Sequence, residues 1–251
     1  MNRFDLAGRL AFVTGSSRGL GLALATGLAD AGARLVLHGR GGPALDGAAA
    51  SLGDAVAGVV TCDVTDSGAV ADAVAGLLAD HGTPDILVNN AGLQRRAPFT
   101  EFAPADWDAV IATNLSSAFY VSQPIARAMA ERGSGKIVNI ASVQSRLARQ
   151  TIAPYGASKG GLAMLTQGMA ADLARFNIQV NAISPGYFAT DMNAALWGDP
   201  VFDAWVKGRT PAQRWGRVDE LVGALVFLAS DASSFVSGQN LFVDGGMTAV
   251  V

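Results

Sequence analysis

The sequence predicts an α/β chain: a doubly wound parallel sheet of about seven strands with helices on both faces. Three observations lead there. Short apolar runs recur at 10–13, 35–38, 56–62, 86–88, 136–140, 179–183 and 240–243. Helix-like stretches of roughly 12 to 20 residues separate most of them, the alternation that builds parallel βαβ units. Polar and small residues then collect just past the strands: Gly15, Arg40, Asp63, Asn90, Ser142, and Pro185 with Gly186. That carboxyl edge is where ligands bind in such sheets.

Composition sets the outer bounds. The chain has 251 residues, 50% hydrophobic and 16% charged. No linker, repeat or low-complexity stretch divides it, so 1–251 is expected to form one domain. A net charge of −3 argues against nucleic acid or an anionic membrane as partner. The lone Cys62 excludes an intramolecular disulfide and reads as a small core residue at a strand end. The first ten residues carry Arg3, Asp5 and Arg9 and hold no cleavable apolar core. No apolar run reaches the ~18 residues of a membrane span. A soluble, cytoplasmic protein is expected, with no metal.

Taken in order, the first strand (10–13) runs into Thr14-Gly15-Ser16-Ser17-Arg18-Gly19-Leu20-Gly21. Glycines at a strand-to-helix turn let backbone approach a pyrophosphate, and the N–H groups of the following helix, expected over 22–31, face it. After the second strand comes Gly39-Arg40, with no carboxylate to bind a ribose 2′-hydroxyl. Arg40 and Arg18 can flank a phosphate instead, so NADP(H) is expected over NAD(H). The third and fourth strands end at Asp63-Val64 and Asn89-Asn90-Ala91-Gly92. Long helices are expected over 107–132 and 154–176. The second carries Leu162, Leu165, Met169 and Leu173 at helical spacing. Its Ala157, Gly160, Gly161, Ala163, Gly168 and Ala171 would let another helix approach closely. Residues 191–215, with Trp197, Pro200, Trp205 and Pro211, have no strand pattern and read as a small helical lid over the site.

Tyr155 and Lys159 stand four apart, one turn along the same helical face. A nearby ammonium favours the phenolate and is expected to pull the phenol toward neutrality, which makes an acid/base for physiological pH. Ser142 adds a hydroxyl to polarise a substrate oxygen.

Together, Thr14-Gly15-x-x-x-Gly19-x-Gly21, Asp63, Asn89 to Gly92, Asn114, Ser142, Tyr155-x-x-x-Lys159, Pro185-Gly186 and Thr190 resemble the short-chain dehydrogenase/reductase family over nearly the whole chain. The resemblance implies a Rossmann-type fold. It implies Tyr155 as general acid in ketone reduction and Lys159 as its partner and ribose ligand. Ser142 would hold the substrate oxygen, and Asn114 would anchor a water that relays protons to Lys159. Cofactor contacts would come from Gly15, Ser17, Arg18, Gly19, Leu20, Gly21, Arg40, Asp63, Val64, Asn90, Ala91, Gly92, Tyr155, Lys159, Pro185, Gly186, Phe188 and Thr190. Members that resemble this chain are homotetramers built on the two long helices.

Stretches mostly around the substrate side, Asn90-Ala91-Gly92-Leu93-Gln94-Arg95-Arg96, Ser142-Val143-Gln144-Ser145, Thr151 to Tyr155, Pro185 to Thr190 and Arg209 to Gly216, resemble within that family the gluconate 5-dehydrogenases. This implies interconversion of D-gluconate and 5-dehydro-D-gluconate. Arg95 or Arg96 would grip the carboxylate, Gln144 and Gln150 would meet hydroxyls, and Ser142 and Tyr155 would hold the C5 oxygen. Two other readings stay open. One is a 3-oxoacyl-carrier-protein reductase, for which Arg95, Arg96, Arg127 and Arg132 would form the docking surface. The other is a nucleotide-binding protein without turnover, against which intact Ser142, Tyr155 and Lys159 argue.

Overall fold

The structure is a computed structural model, and it describes residues 2–190 and 194–250. Seven parallel strands form one sheet in the order β3-β2-β1-β4-β5-β6-β7. They are β1 (Leu10–Val13), β2 (Arg34–Gly39), β3 (Val56–Thr61), β4 (Ile86–Asn89), β5 (Gly135–Ile140), β6 (Ile178–Pro185) and β7 (Asn240–Val243). The order reverses between β1 and β4, and the crevice at that switch point is where such sheets receive a ligand.

The strands bury both faces because successive side chains point to opposite sides. Ala11 and Val13 of β1 face one layer with Leu35, Leu37, Val88 and Ile140. Helices α1 (Gly19–Asp30) and α9 (Val222–Ala229) close that layer with Leu24, Leu28, Leu225 and Leu228. Phe12 faces the other way with Val36, Leu87 and Ile137. There it meets Val70, Val74 and Leu77 of α3 (Ser67–His81) and Val121, Ile125 and Met129 of α5 (Ser117–Arg132).

Every expected strand is present, with edges moved by one or two residues. β6 extends past its apolar centre because Asn181 and Ser184, both buried, find partners at Val236 O and Asn240 Oδ1. The helix expected over 107–132 divides into α4 (Pro104–Ile111), a π-helical turn at Ala112–Ser116, and α5. An extra residue in the ladder is a common device at functional sites, and this one contains Asn114. The helix expected over 154–176 is α6 (Ala153–Leu173), followed by a tighter turn at Ala174–Phe176. The lid contains α7 (Ala194–Trp197) and α8 (Pro200–Arg209), and the first residues of the expected lid, 191–193, lie outside the described residues. The remaining helix, α2 (Pro43–Leu52), links β2 to β3. No helix among the described residues is long and apolar enough to cross a membrane.

Candidate active site

The glycine turn after β1 is held from its two neighbouring strands, β4 and β2. Thr14 Oγ1 accepts the N–H groups of Asn90 (2.9 Å) and Ala91 (3.1 Å), and Asn90 Nδ2 donates to the carbonyls of Thr14 and Gly15 at 2.9 and 3.1 Å. From the β2 side, His38 Nδ1 accepts the Gly15 N–H at 3.1 Å. Because Nδ1 accepts, Nε2 carries the ring proton and faces Cys62 Sγ at 3.4 Å. Burial pushes the His38 pKa down to about 4, against weaker opposing effects from Cys62 and Asp63. The ring is therefore a neutral strut. Gly15 has φ +66° and Gly21 packs so closely that a Cβ there would collide with the Gly15 carbonyl. The resulting bare backbone suits a pyrophosphate.

Around this turn, Ser17 and Leu20 are half-buried, Val64 is buried, and Arg18 and Arg40 are exposed with no ion pair among the described residues. Asp63 Oδ1 accepts from Thr65 N (2.9 Å) and Thr65 Oγ1 (2.7 Å), and these bonds, with Arg40 contributing less, hold its carboxyl below the usual range. Phe188 is buried in the core and bridged to Gly216. Pro185 ends β6, and Gly186 N–H donates to Val243 O at 2.9 Å, which fixes the turn leading to Thr190.

The expected catalytic groups converge from two elements. Ser142 follows β5, while Tyr155 and Lys159 sit in the first turns of α6. The Lys159 Nζ donates to Ile140 O at 2.6 Å, and burial lowers its pKa to about 8. The phenol behaves differently from expectation. Burial raises the Tyr155 pKa, the Ser142 hydrogen bond only partly opposes it, and the ammonium is committed to Ile140 and lies 5.8 Å from the ring centroid. The protein's own groups thus keep Tyr155 protonated. Asn114 is also more occupied than expected. Its Oδ1 accepts from Leu93 N (2.8 Å) and its Nδ2 donates to Leu93 O and Ser158 Oγ, each at 3.0 Å. A water held here would have to use its second Oδ1 lone pair or its main chain in the π turn.

Beside Ser142 and Tyr155 lies a cavity of about 80 Å³. Gln94, Arg96, Gln144 and Arg149 supply its polar wall, with Tyr187 and Leu196 toward the lid and no Asp or Glu among its lining residues. Arg96 donates to Gln94 Oε1 at 3.1 Å. Its guanidinium is pulled below its ordinary pKa by burial and then by Arg149. Tyr187 packs edge-on against Phe202, Trp205 and Trp215, each at 5.7 Å.

Two of the expected substrate residues do not line this cavity. Arg95 turns outward to Asp106, with Nε–Oδ1 3.2 Å, because α4 presents that carboxylate beside it. Gln150 is exposed and does not line the cavity. Ser145 also turns away, to Ser184 and Asn240. The docking surface of the carrier-protein reading is dispersed too. Arg95 is paired, Arg96 lines the cavity, and Arg132 bonds Asp85 and three carbonyls at the far end of the sheet. Sequence reasoning missed His38, whose only local signal is a polar residue inside an apolar strand. It also missed Tyr187 and left Arg149 undifferentiated among loop residues.

This fold and site define a class. A family model described as Enoyl-(Acyl carrier protein) reductase matches residues 15–248, and the chain belongs to the short-chain dehydrogenase/reductase family. Within it, the chain is 55% identical over 247 residues to the gluconate 5-dehydrogenase of Gluconobacter oxydans (strain 621H), covering 98% of this chain and 96% of that one. It is 50% identical to the 5-keto-D-gluconate 5-reductase of Escherichia coli (strain K12), covering 99% and 98%. The solved gluconate 5-dehydrogenase from Burkholderia cenocepacia J2315, in complex with NADP and tartrate, superposes with a TM-score of 0.94 at 53% identity, covering 100% of this chain and 99% of that one.

Proposed function

We propose that this chain is an NADP(H)-dependent oxidoreductase that interconverts D-gluconate and 5-dehydro-D-gluconate: 5-dehydro-D-gluconate + NADPH + H⁺ ⇌ D-gluconate + NADP⁺. The observation that carries it is the joining of Ser142, Tyr155 and Lys159 to a cavity lined by Arg96 and Arg149, with no acid among its described residues, in a chain half identical to gluconate 5-dehydrogenases. The glycine turn and segment 90–92 would hold the dinucleotide, and the absence of a carboxylate after β2 with Arg18 and Arg40 unpaired fits a 2′-phosphate. The nicotinamide supplies the hydride. In reduction, Tyr155 protonates the developing alkoxide, and its raised pKa keeps that proton available. Ser142 orients the carbonyl, Lys159 holds the ribose, and Asn114 fixes the loop at Leu93 over the centre. Arg96 meets the carboxylate and Gln94 and Gln144 the hydroxyls. Pro185, Gly186, Phe188 and Thr190 frame the carboxamide and pyrophosphate.

The protein works as a single catalytic domain in the cytoplasm, where reduced nicotinamide cofactor is regenerated. It assembles as a homotetramer, for which exposed Trp107, Phe119 and Met164 on α4, α5 and α6 provide apolar contact. Sedimentation at micromolar concentration tests the assembly, and a monomer refutes it. Turnover tests the chemistry: catalytic efficiency on 5-ketogluconate with NADPH should exceed that on an acetoacetyl thioester. A tenfold advantage for the thioester would overturn the substrate assignment.

A further inference from the structure

Family membership alone does not determine that the substrate carries a charge, because the same family includes reductases of acyl thioesters. The cavity wall does bear on it. Among the described residues, three buried side-chain polar atoms have no hydrogen-bond partner, and two of them, Gln144 Oε1 and Arg149 Nε, belong to residues lining this one cavity. A buried polar group left unpaired is costly, so its persistence beside a substrate cavity points to a ligand that completes it. Arg149 also faces a second cation. It is close enough to Arg96 to disfavour that residue's charge, with no carboxylate among the described residues that line the space they share. Two guanidinium groups in this position repel each other until an anion lies between them.

Arg149 is also held in place, and the loops that carry the two cations are tied together. The Arg149 guanidinium lies 5.2 Å over the Phe202 ring of α8, so the lid positions it. Ala97 N–H donates to Thr151 O at 3.1 Å, tying the loop that carries Arg96 to the loop that carries Arg149. Thr151 holds φ +69°, a strained backbone for a β-branched residue, which persists where the surroundings over-determine it.

We propose that Arg149 is the residue that makes this site selective for a carboxylate-bearing substrate, with Gln144 Oε1 accepting a hydrogen bond from a hydroxyl nearer the reacting carbon. This deepens the sugar-acid reading above and rests on it. Arg96, already bonded to Gln94, is the second arm of the clamp, and the lid supplies the first through Phe202.

The test compares wild type, Arg149→Gln and Arg149→Lys in NADPH oxidation with 5-ketogluconate and with a neutral hexulose. In Arg149→Gln the ratio of the two efficiencies should fall roughly 10- to 150-fold, the span of one charge-assisted hydrogen bond. The loss should lie in the KM for 5-ketogluconate, with kcat and NADPH affinity by fluorescence titration retained. Arg149→Lys, which keeps charge without the planar fork, should recover part of it. An equal loss on both substrates would make Arg149 merely structural and overturn the proposal, as would unchanged efficiencies in Arg149→Gln where the wild type does reduce 5-ketogluconate. A wild type that reduces the neutral hexulose equally well overturns the sugar-acid reading and this proposal together.

Discussion

The two ends of the sheet carry the same kinds of side chain and use them oppositely. At the carboxyl end, burial lowers Lys159 to about 8; at the amino end, it lowers Lys136 to about 8 as well. Around Lys136 every charge is answered. Arg9 pairs with Asp231 at 3.2 Å and Asp85 at 3.8 Å, and Arg132 pairs with Asp85 at 3.3 Å. Lys136 itself donates to Ser233 Oγ at 3.1 Å, and Asp85 Oδ2 accepts the Leu10 N–H at 2.8 Å. Around Lys159, Arg96 and Arg149 meet no acid among the described residues, and Gln144 Oε1 has no hydrogen-bond partner among them. The hollow at the paired end is the larger, about 160 Å³ against 80 Å³. Volume therefore does not locate the chemistry here, and unanswered polarity does.

The comparison breaks first at Tyr155. Tyr155→Phe removes the proton donor and keeps the ring, so turnover should fall by at least ~10²–10⁴-fold, the usual range of general acid–base catalysis. Thermal unfolding should be nearly unchanged. Wild-type turnover in this variant would refute the assignment of the carboxyl end as the reactive one.

His38 tests whether the glycine turn is held as rigidly as the paired end. Its native pKa of about 4 lies below the ordinary 6.5, so the folded state resists protonation. The stabilisation is complete above 6.5 and is lost as pH falls toward 4, up to about 3 kcal/mol at ~1.4 kcal/mol per pKa unit. Denaturant unfolding at neutral pH and at about pH 4.5 should show that loss in wild type and a smaller one in His38→Asn. Equal slopes would remove His38 from the account.

At the paired end, Asp85→Ala leaves the Leu10 N–H and the Arg132 guanidinium without their carboxylate, while Arg9 keeps Asp231. It should cost roughly 1–3 kcal/mol of stability, with KM values untouched. A change in KM without a change in stability would show that the two ends are not separate in function.

The smallest effect concerns Arg40, which is exposed, so its electrostatic contribution is screened by solvent. Arg40→Asp should move the preference from NADPH toward NADH by about tenfold, the worth of ~1.4 kcal/mol. Parallel kinetics with both cofactors decide it, and an unchanged ratio leaves Arg18 as the phosphate's partner.

The sequence by itself determined the sheet, the glycine turn and the identity of Ser142, Tyr155 and Lys159. These are short-range properties: an apolar run that buries both faces, a turn only glycine can make, two side chains one helical turn apart. Only the tertiary structure decided which loop residues line the cavity beside Ser142 and Tyr155. Arg95 and Arg96 are chain neighbours, yet one pairs with Asp106 and the other lines the cavity. Arg149 and Gln150 divide the same way, into wall and surface. No periodicity governs an irregular loop, so the direction of each side chain follows from contacts with α4 and the lid. The state of Tyr155 was likewise settled by packing, because the same four-residue spacing permits Lys159 to face the phenol or, as here, the carbonyl of Ile140.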